Sequence, residues 1–244
     1  DIATDIKKIS PFFDEPFADM SYTPQFKICQ AAARHLKVAL SGDVGDELFG
    51  GYHFYTVEQE MRNHFSYNNV LLQFGLKQFG RFRETSFVTK QNAIYKNILD
   101  FHQNHVRNYF SESERNALGI KANFQQEYSF NIDPNSVNDM MRVDLEKYVP
   151  GNMLMKSDRM AMANSLEVRT PFLDKDFAEF CIQLPDNLKI DSTNDKIILR
   201  ETMQNYWTES IKNRGKQGFG SSVETWFEED SLMNLSDELL KNSS

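Results

Sequence analysis

Apolar residues recur along most of this chain at helical rather than strand spacing. Phe26, Cys29, Ala32 and Ala33 form one stripe. With Thr23 as N-cap and Pro24 at the first helical position, they predict a helix ending near His35. Residues 37–40 (KVAL) are short, apolar and β-compatible, and predict one strand running straight into Ser41 and Gly42. A glycine-rich turn then opens another helix near Asp46. Residues 56–135 are rich in Gln, Asn and Phe with helical periodicity, and read as a helical cover or insertion; Ser111 and Glu114 have capping-box spacing within it. From Ser136 a helix is predicted to about Val149, a break at Pro150 and Gly151, and a further helix from Met153 to Leu166 with Met and Ala on the inward positions. Asp174 is suited to cap a helix ending before Pro185, and Thr193 or Asn194 another running to about Tyr206. From Trp226 the tail is amphipathic, then polar, with an end expected to fray. Helix, strand, turn and helix in that order predict an α/β fold that is mostly helical.

Composition narrows the classes of function. The chain has 244 residues, 40% hydrophobic and 25% charged, enough for a sizeable core. Its formal net charge is −8 and no Lys/Arg-rich run is present, which argues against nucleic acid or an anionic membrane and favours a small-molecule substrate. Cys29 and Cys181 each sit in an apolar helical pattern and read as small core residues of a reducing, cytoplasmic environment. No window approaches the roughly 18 apolar residues of a membrane span, and the start has neither the apolar run nor the basic flank of a signal peptide. It begins without Met in polar, helix-like sequence, so upstream sequence is expected.

Three stretches carry candidate chemistry. In SGDVGDELFGGY (41–52) a Ser-Gly turn follows the strand, where α/β sheets bind ligands. Asp43, Asp46 and Glu47 crowd carboxylates that suit Mg²⁺ or a basic partner; the same acids can instead complement the dipole of the helix that opens there. The glycine pair reads equally well as a tight turn or a close-packing point. In KSDRMAMANSLEVRTPFLD (156–174) charges interrupt a core-like Met/Ala helix. Structural pairing among Glu167, Arg169 and Asp174 is the simpler reading there, while Lys156 and Asp158 stay open between pairing and chemistry. In RGKQGFG (214–220) Arg214 and Lys216 lie in a glycine-punctuated loop able to wrap a phosphate.

Together these stretches, with PFFDEPFAD (11–19) upstream, resemble the synthetase domain of glutamine-dependent asparagine synthetases, in which SGDxGDELFGGY, DRxxMANSLEVRxPFLD and RxKQGFG occur in this order. The resemblance runs from Pro11 to Trp226, with 56–135 unmatched. It implies part of a Rossmann-like adenine-nucleotide α-hydrolase (ATP pyrophosphatase) domain with a helical extension. It also implies that ATP adenylates a side-chain carboxylate of aspartate, and that ammonia derived from glutamine then gives the amide and AMP. Residue by residue, it implies that Ser41 and Gly42 form the nucleotide-side turn and that Asp46 holds Mg²⁺-pyrophosphate. Asp43 stands where some relatives carry a Glu that positions the aspartyl group, Lys216 stabilises the adenylation transition state, and Asp158 faces the amino-acid substrate. Lys156, Arg214 and Lys196 are secondary candidates.

The glutaminase part of such enzymes and their SGGxDSS loop are not in this sequence, so the resemblance implies little turnover by this stretch alone. Competing readings are an amidotransferase of the same superfamily with a different acceptor, a tRNA-modifying ATP pyrophosphatase, disfavoured by the acidic balance, and a non-catalytic fragment. The oligomeric state is open, a homodimer being one reading. His102 and His105 have i, i+3 spacing but no evident third metal ligand, and read as a solvated helix face. The methionines from Met153 to Met162 read as core.

Overall fold

Side-chain caps set several helix starts. Ser136 Oγ accepts from the Asp139 amide (3.2 Å), Asp174 Oδ1 from the Phe177 amide (3.1 Å) and Asn97 Oδ1 from the Asp100 amide (2.9 Å). The computed structural model describes residues 2–19, 21–66, 97–106, 117–120, 128–212, 214, 218 and 230–242, without the side chains at 63–66, 104 and 105. In chain order its elements are α1 (Ile2–Ile9), a 3-10 turn (Ser10–Phe12), α2 (Tyr22–Ala32), β1 (Val38–Leu40), α3 (Gly45–Phe49), α4 (His53–Ser66), α5 (Ile98–Phe101) with a π-helical turn (His102–Val106), α6 (Val137–Glu146), a second π-helical turn (Val149–Leu154), α7 (Met155–Met162), β2 (Glu167–Arg169), α8 (Lys175–Gln183), α9 (Ile197–Met203), α10 (Glu209–Lys212) and α11 (Asp230–Asn242). The protein is thus a mostly helical α/β chain with a small parallel sheet.

Several expected boundaries move, each for a local reason. α2 starts at Tyr22, so Thr23 and Pro24 lie inside its first turn; the chain before it is braced by Asp19 Oδ1, which accepts from the amide and hydroxyl of Ser21 (3.0 and 2.6 Å). Pro150 and Gly151 do not break the chain into coil, because the wider π-helical turn Val149–Leu154 carries them. The helix expected to reach Leu166 stops at Met162. Ser165 adopts φ +54°, its amide bonds Met162 O (2.9 Å) and the Leu166 amide bonds Ala161 O (3.1 Å), a Schellman end. That end releases Glu167–Arg169 to form β2, which the sequence pattern did not reveal. α9 begins at Ile197 rather than after Thr193 or Asn194: the Asp191 carboxylate accepts from the Asn194 side-chain amide (2.9 Å to Oδ2) and from the backbone amides of both residues (2.7 Å each), which together hold its pKa down at about 2. The capping box at Ser111 lies outside the described residues, as does Trp226 itself, while the amphipathic tail that follows it is helical over Asp230–Asn242, with Leu232 and Leu235 buried.

The chain divides into two compact units, one of Asp1–Asp43, Pro150–Pro171 and Gly215–Ser244, the other of Val44–Val149 and Phe172–Arg214. In the first, β1 and β2 pair in parallel with Ala39 opposite Val168. Both of these side chains pack on buried Cys29, Ala161 and Leu166, and the small Cys29 and Ala161 let α2 and α7 approach closely. Val38 and Leu40, on the other face, are 51% and 76% exposed. Phe26, Tyr22, Ile9 and Met160 form a second cluster, and Ala3, Leu232 and Leu235 join α1 to α11. Of the methionines read as core, Met160 is fully buried and Met162 exposed.

In the second unit Tyr55, Met61, Ile98, Phe101, Met140, Met141 and Ile190 form a core around α4, α5 and α6. Inside it lies a charged group, and the reading of His102 as solvated is overturned: the side chain is completely buried. Its Nδ1 faces Glu58 Oε1 (2.7 Å) and its Nε2 faces Asp144 Oδ1 (2.9 Å), while Tyr55 OH donates to Asp144 Oδ2 (2.5 Å). Both ring nitrogens therefore serve as donors, which only the imidazolium allows. Burial opposes that charge, but the two carboxylates outweigh it and raise the His102 pKa to about 9.

Because the folded pKa lies above the ordinary 6.5, the contribution of His102 is complete below that pH and is lost as pH rises through about 9. His102→Gln is expected to cost about 3–5 kcal/mol near pH 6. Urea unfolding across this window should show the stability of the wild type falling and that of the variant holding level. Equal slopes contradict the charged assignment.

Candidate functional site

The parallel pairing of β1 with β2 brings two chain segments together in the first unit. The Ser41 amide donates to Arg169 O (2.8 Å), extending the ladder one step beyond β1. Just past the strand ends, Ser41 Oγ lies 3.0 Å from Thr170 Oγ1 and 3.0 Å from Asp43 Oδ2. The same Asp43 oxygen accepts from Ser157 Oγ of α7 (2.9 Å), and Ser157 Oγ accepts from Gln25 Nε2 of α2 (2.9 Å). Asp43 is therefore a carboxylate held by hydroxyls, without a cationic partner among the described residues. Gly42, between Ser41 and Asp43, has no heavy atom within 4 Å of where a Cβ would stand, so its backbone faces open space.

α7 displays consecutive residues in different directions, about 100° apart. Lys156 Nζ donates to Asp19 Oδ2 (2.7 Å) and Ser21 Oγ (2.5 Å), tying α7 to the chain entering α2. Burial pushes the Asp19 carboxyl up, but the Lys156 ammonium and the Ser21 bonds outweigh this and hold its pKa below the ordinary value. Ser157 turns to Asp43. Asp158 is exposed and, with Pro11, Phe12, Arg159, Met162 and Ala163, lines an open recess of about 380 Å³. Arg159 pairs with Asp14, and Arg169 with Glu167, as surface ion pairs, the structural reading expected for Glu167 and Arg169.

In the second unit Val44, at φ +71°, precedes α3, and no side chain caps that helix. Asp46 instead makes an ion pair with Lys196 Nζ (2.5 Å). Glu47 is fully buried and accepts from Tyr52 OH (2.8 Å); burial, then the negative charges of Asp46 and Asp144, push its pKa up to about 7. The three acids that crowd the sequence are thus engaged separately: Asp43 by hydroxyls, Asp46 by an ammonium and Glu47, through Oε1 alone, by a phenol. The glycine pair has a packing cause. A Cβ on Gly50, itself at φ +70°, would overlap Ile190 and Met141, and one on Gly51 would overlap both Asp46 and Lys196. Arg214 is exposed, and Lys216 lies outside the described residues.

Asp46 suits a hard cation: its half-buried oxygens already attract the Lys196 ammonium, and Mg²⁺ asks for one or two carboxylates when phosphates supply the remaining ligands. Among the described residues no group of three or more His, Cys, Asp or Glu could hold a metal by itself. No described helix is long and apolar enough to cross a membrane.

The asparagine synthase family model matches residues 1–244. The chain belongs to the asparagine synthase family. Among its relatives, glutamine-hydrolysing asparagine synthetase 1 of Bacillus subtilis is 29% identical over 253 residues, 98% of this chain and 38% of that protein. A putative glutamine-hydrolysing asparagine synthetase of Mycobacterium tuberculosis H37Rv is 29% identical over 234 residues, 91% of this chain and 35% of that protein. A second putative one, from Methanocaldococcus jannaschii, is 51% identical over 47 residues, 19% of this chain. The chain therefore spans little more than a third of the length of the first two relatives, and the family it belongs to is one of ligases.

Gln25, Ser157 and Thr170 were not singled out by sequence reasoning. Ser157 offered one signal, a hydroxyl among the Met and Ala residues of α7; Gln25 offered none, since 132 positions separate it from Ser157.

Gly50→Ala is expected to destabilise the protein by about 1–3 kcal/mol through its positive φ and overlap with Ile190 and Met141. Gly42→Ala should stay within about 0.5 kcal/mol of wild type. Urea unfolding of both variants checks the contrast, and equal losses contradict it.

Proposed function

We propose that this chain is the synthetase part of an enzyme that uses ATP to convert the side-chain carboxylate of aspartate into an amide, through an aspartyl-adenylate, releasing AMP and pyrophosphate. The supporting observation is the family match over residues 1–244, which includes the acidic turn after β1. In this reading the domain is part of a Rossmann-like ATP pyrophosphatase fold, 56–135 is a helical insertion within it, and glutamine is the source of ammonia through a glutaminase part. A homodimer and a cytoplasmic setting belong to the same proposal.

The chemistry assigns each residue a task. The aspartate carboxylate attacks the α-phosphorus, pyrophosphate departs, and ammonia then displaces AMP at the acyl carbon. Negative charge grows on the phosphate oxygens during the first step, so fixed cations lower its barrier. Lys216 supplies that charge, with Arg214 as a secondary contact. Asp46 is the carboxylate for Mg²⁺-pyrophosphate, and Lys196 beside it stands ready to neutralise the same oxygens. When bound, Mg²⁺ supplies charge neutralisation of the departing pyrophosphate. Ser41 and the open Gly42 backbone form the nucleotide-side turn, Asp43 positions the aspartyl group, and Asp158 pairs with the substrate ammonium. Lys156, held by Asp19 and Ser21, fixes α7 and is available to a phosphate only if that tie is released.

The intact protein supplied with ATP, Mg²⁺, aspartate and ammonia is expected to release pyrophosphate in an aspartate-dependent manner. Lys216→Ala should lower the rate at least about a hundredfold. Release with a different carboxylate and none with aspartate assigns another acceptor, and unchanged release by the variant removes Lys216 from its role.

A further inference from the structure

Ser157 is only 6% exposed, yet its hydroxyl is fully committed to other polar groups. It sits between Gln25 Nε2 and Asp43 Oδ2, each 2.9 Å away. A serine hydroxyl has one proton. An ionised Asp43 can only accept, so that proton goes to Asp43 and the lone pair of Ser157 faces Gln25. The Gln25 amide must then present its nitrogen, because its oxygen would compete for the same proton. Ser41 follows the same logic: its proton goes to Asp43, and Thr170 Oγ1 donates to Ser41 Oγ. The direction of every bond is thereby fixed, from Gln25 through Ser157 to Asp43 on one side, and from Thr170 through Ser41 to Asp43 on the other.

Both donors converge on Oδ2 of Asp43, and among the described residues Oδ1 accepts no hydrogen bond. A carboxylate gripped by one oxygen cannot swing about its χ2 axis without breaking two bonds, so the other oxygen keeps a fixed direction. Asp43 and Ser157 are 114 positions apart, and Gln25 and Ser157 are 132 apart. The arrangement therefore depends on the packing of α2 against α7, and the turn after β1 does not impose it alone.

We propose that Ser157, oriented by Gln25, is a positioning residue for the reaction: it fixes the Asp43 carboxylate so that Oδ1 alone is presented to the acyl substrate. Ser157 does not touch substrate. The inference rests on the role given to Asp43 under the proposed function and adds residues that the family motifs do not assign. Loss of the Ser157 hydroxyl leaves the Asp43 carboxylate held by Ser41 alone, which eases its rotation, weakens capture of the acyl substrate and leaves the ATP contacts intact. Loss of the Gln25 amide leaves the Ser157 proton free to turn away, a smaller effect in the same direction.

The test uses the intact protein and compares wild type with Ser157→Ala, Ser157→Thr and Gln25→Met in pyrophosphate release. The expected result is a rise of about tenfold in KM for aspartate in Ser157→Ala. KM for ATP should stay within about twofold, Gln25→Met should lie between, and Ser157→Thr should recover most of the loss because it restores the hydroxyl. Unchanged KM for aspartate in Ser157→Ala overturns the proposal, as does a parallel rise in both KM values that Ser157→Thr does not repair, the mark of a general packing role. Wild-type protein without aspartate-dependent release overturns the functional reading instead. Crystal structures of wild type and Ser157→Ala then decide the positioning role: an Asp43 carboxylate in one orientation in both contradicts it, and one that turns in the variant alone supports it.

Discussion

The parallel pairing of β1 with β2 is the constraint on which the candidate site of the first unit depends. Each strand has only three residues, and their register sets Ala39 against Val168. Without it Ser41 and Thr170, 129 positions apart, have no reason to meet. The pairing is made possible by the Schellman end of α7, which turns the chain at Ser165 and delivers it to β2. The small side chains of Cys29 and Ala161 then let α2 and α7 close over the sheet, which carries Gln25 and Ser157 to Asp43. Backbone geometry at one serine thus propagates through strand pairing and helix packing to the orientation of one carboxylate.

The second unit is organised by a different interaction, the buried imidazolium of His102 between Glu58 and Asp144. Separate helical elements contribute these residues, so the charge cluster specifies how α4, α5 and α6 pack, where apolar contacts alone would tolerate sliding. Near it, buried Glu47 and half-buried Tyr52 form a second polar pair. This unit therefore has an interior with more acids than bases, in which each acid has been given a specific donor. The Asp46–Lys196 pair belongs to the same logic: Gly51 has no side chain because that pair occupies the space.

Much of the architecture was legible in the sequence because it is encoded locally. The strand at 37–40, the helix start at Ser136, the cap at Asp174, and the buried Cys29 and Cys181 follow from propensity, capping and apolar spacing. β2 was hidden because Glu167–Arg169 has one apolar residue between two charges, and its strand character comes from pairing with β1 rather than from its own pattern. His102 was misjudged because helical spacing alone does not reveal which face is buried; the deciding partners lie 44 and 42 positions away. Asp43, Asp46 and Glu47 read in the sequence as carboxylates suited to Mg²⁺, to a basic partner or to the dipole of α3; their actual partners, hydroxyls, Lys196 and Tyr52, could not be told from sequence proximity. Long-range hydrogen bonds such as those of Ser157 leave no periodic signature.

In the proposed reaction the side-chain carboxylate of aspartate is activated at the α-phosphorus of ATP. The most direct measurement follows ¹⁸O from the side-chain carboxylate of labelled aspartate through one turnover of the intact protein with ATP, Mg²⁺ and ammonia. Adenylation followed by attack of ammonia on the acyl carbon leaves one labelled oxygen in AMP and none in pyrophosphate. Label in inorganic phosphate with formation of ADP, or unlabelled AMP beside newly formed asparagine, contradicts the account.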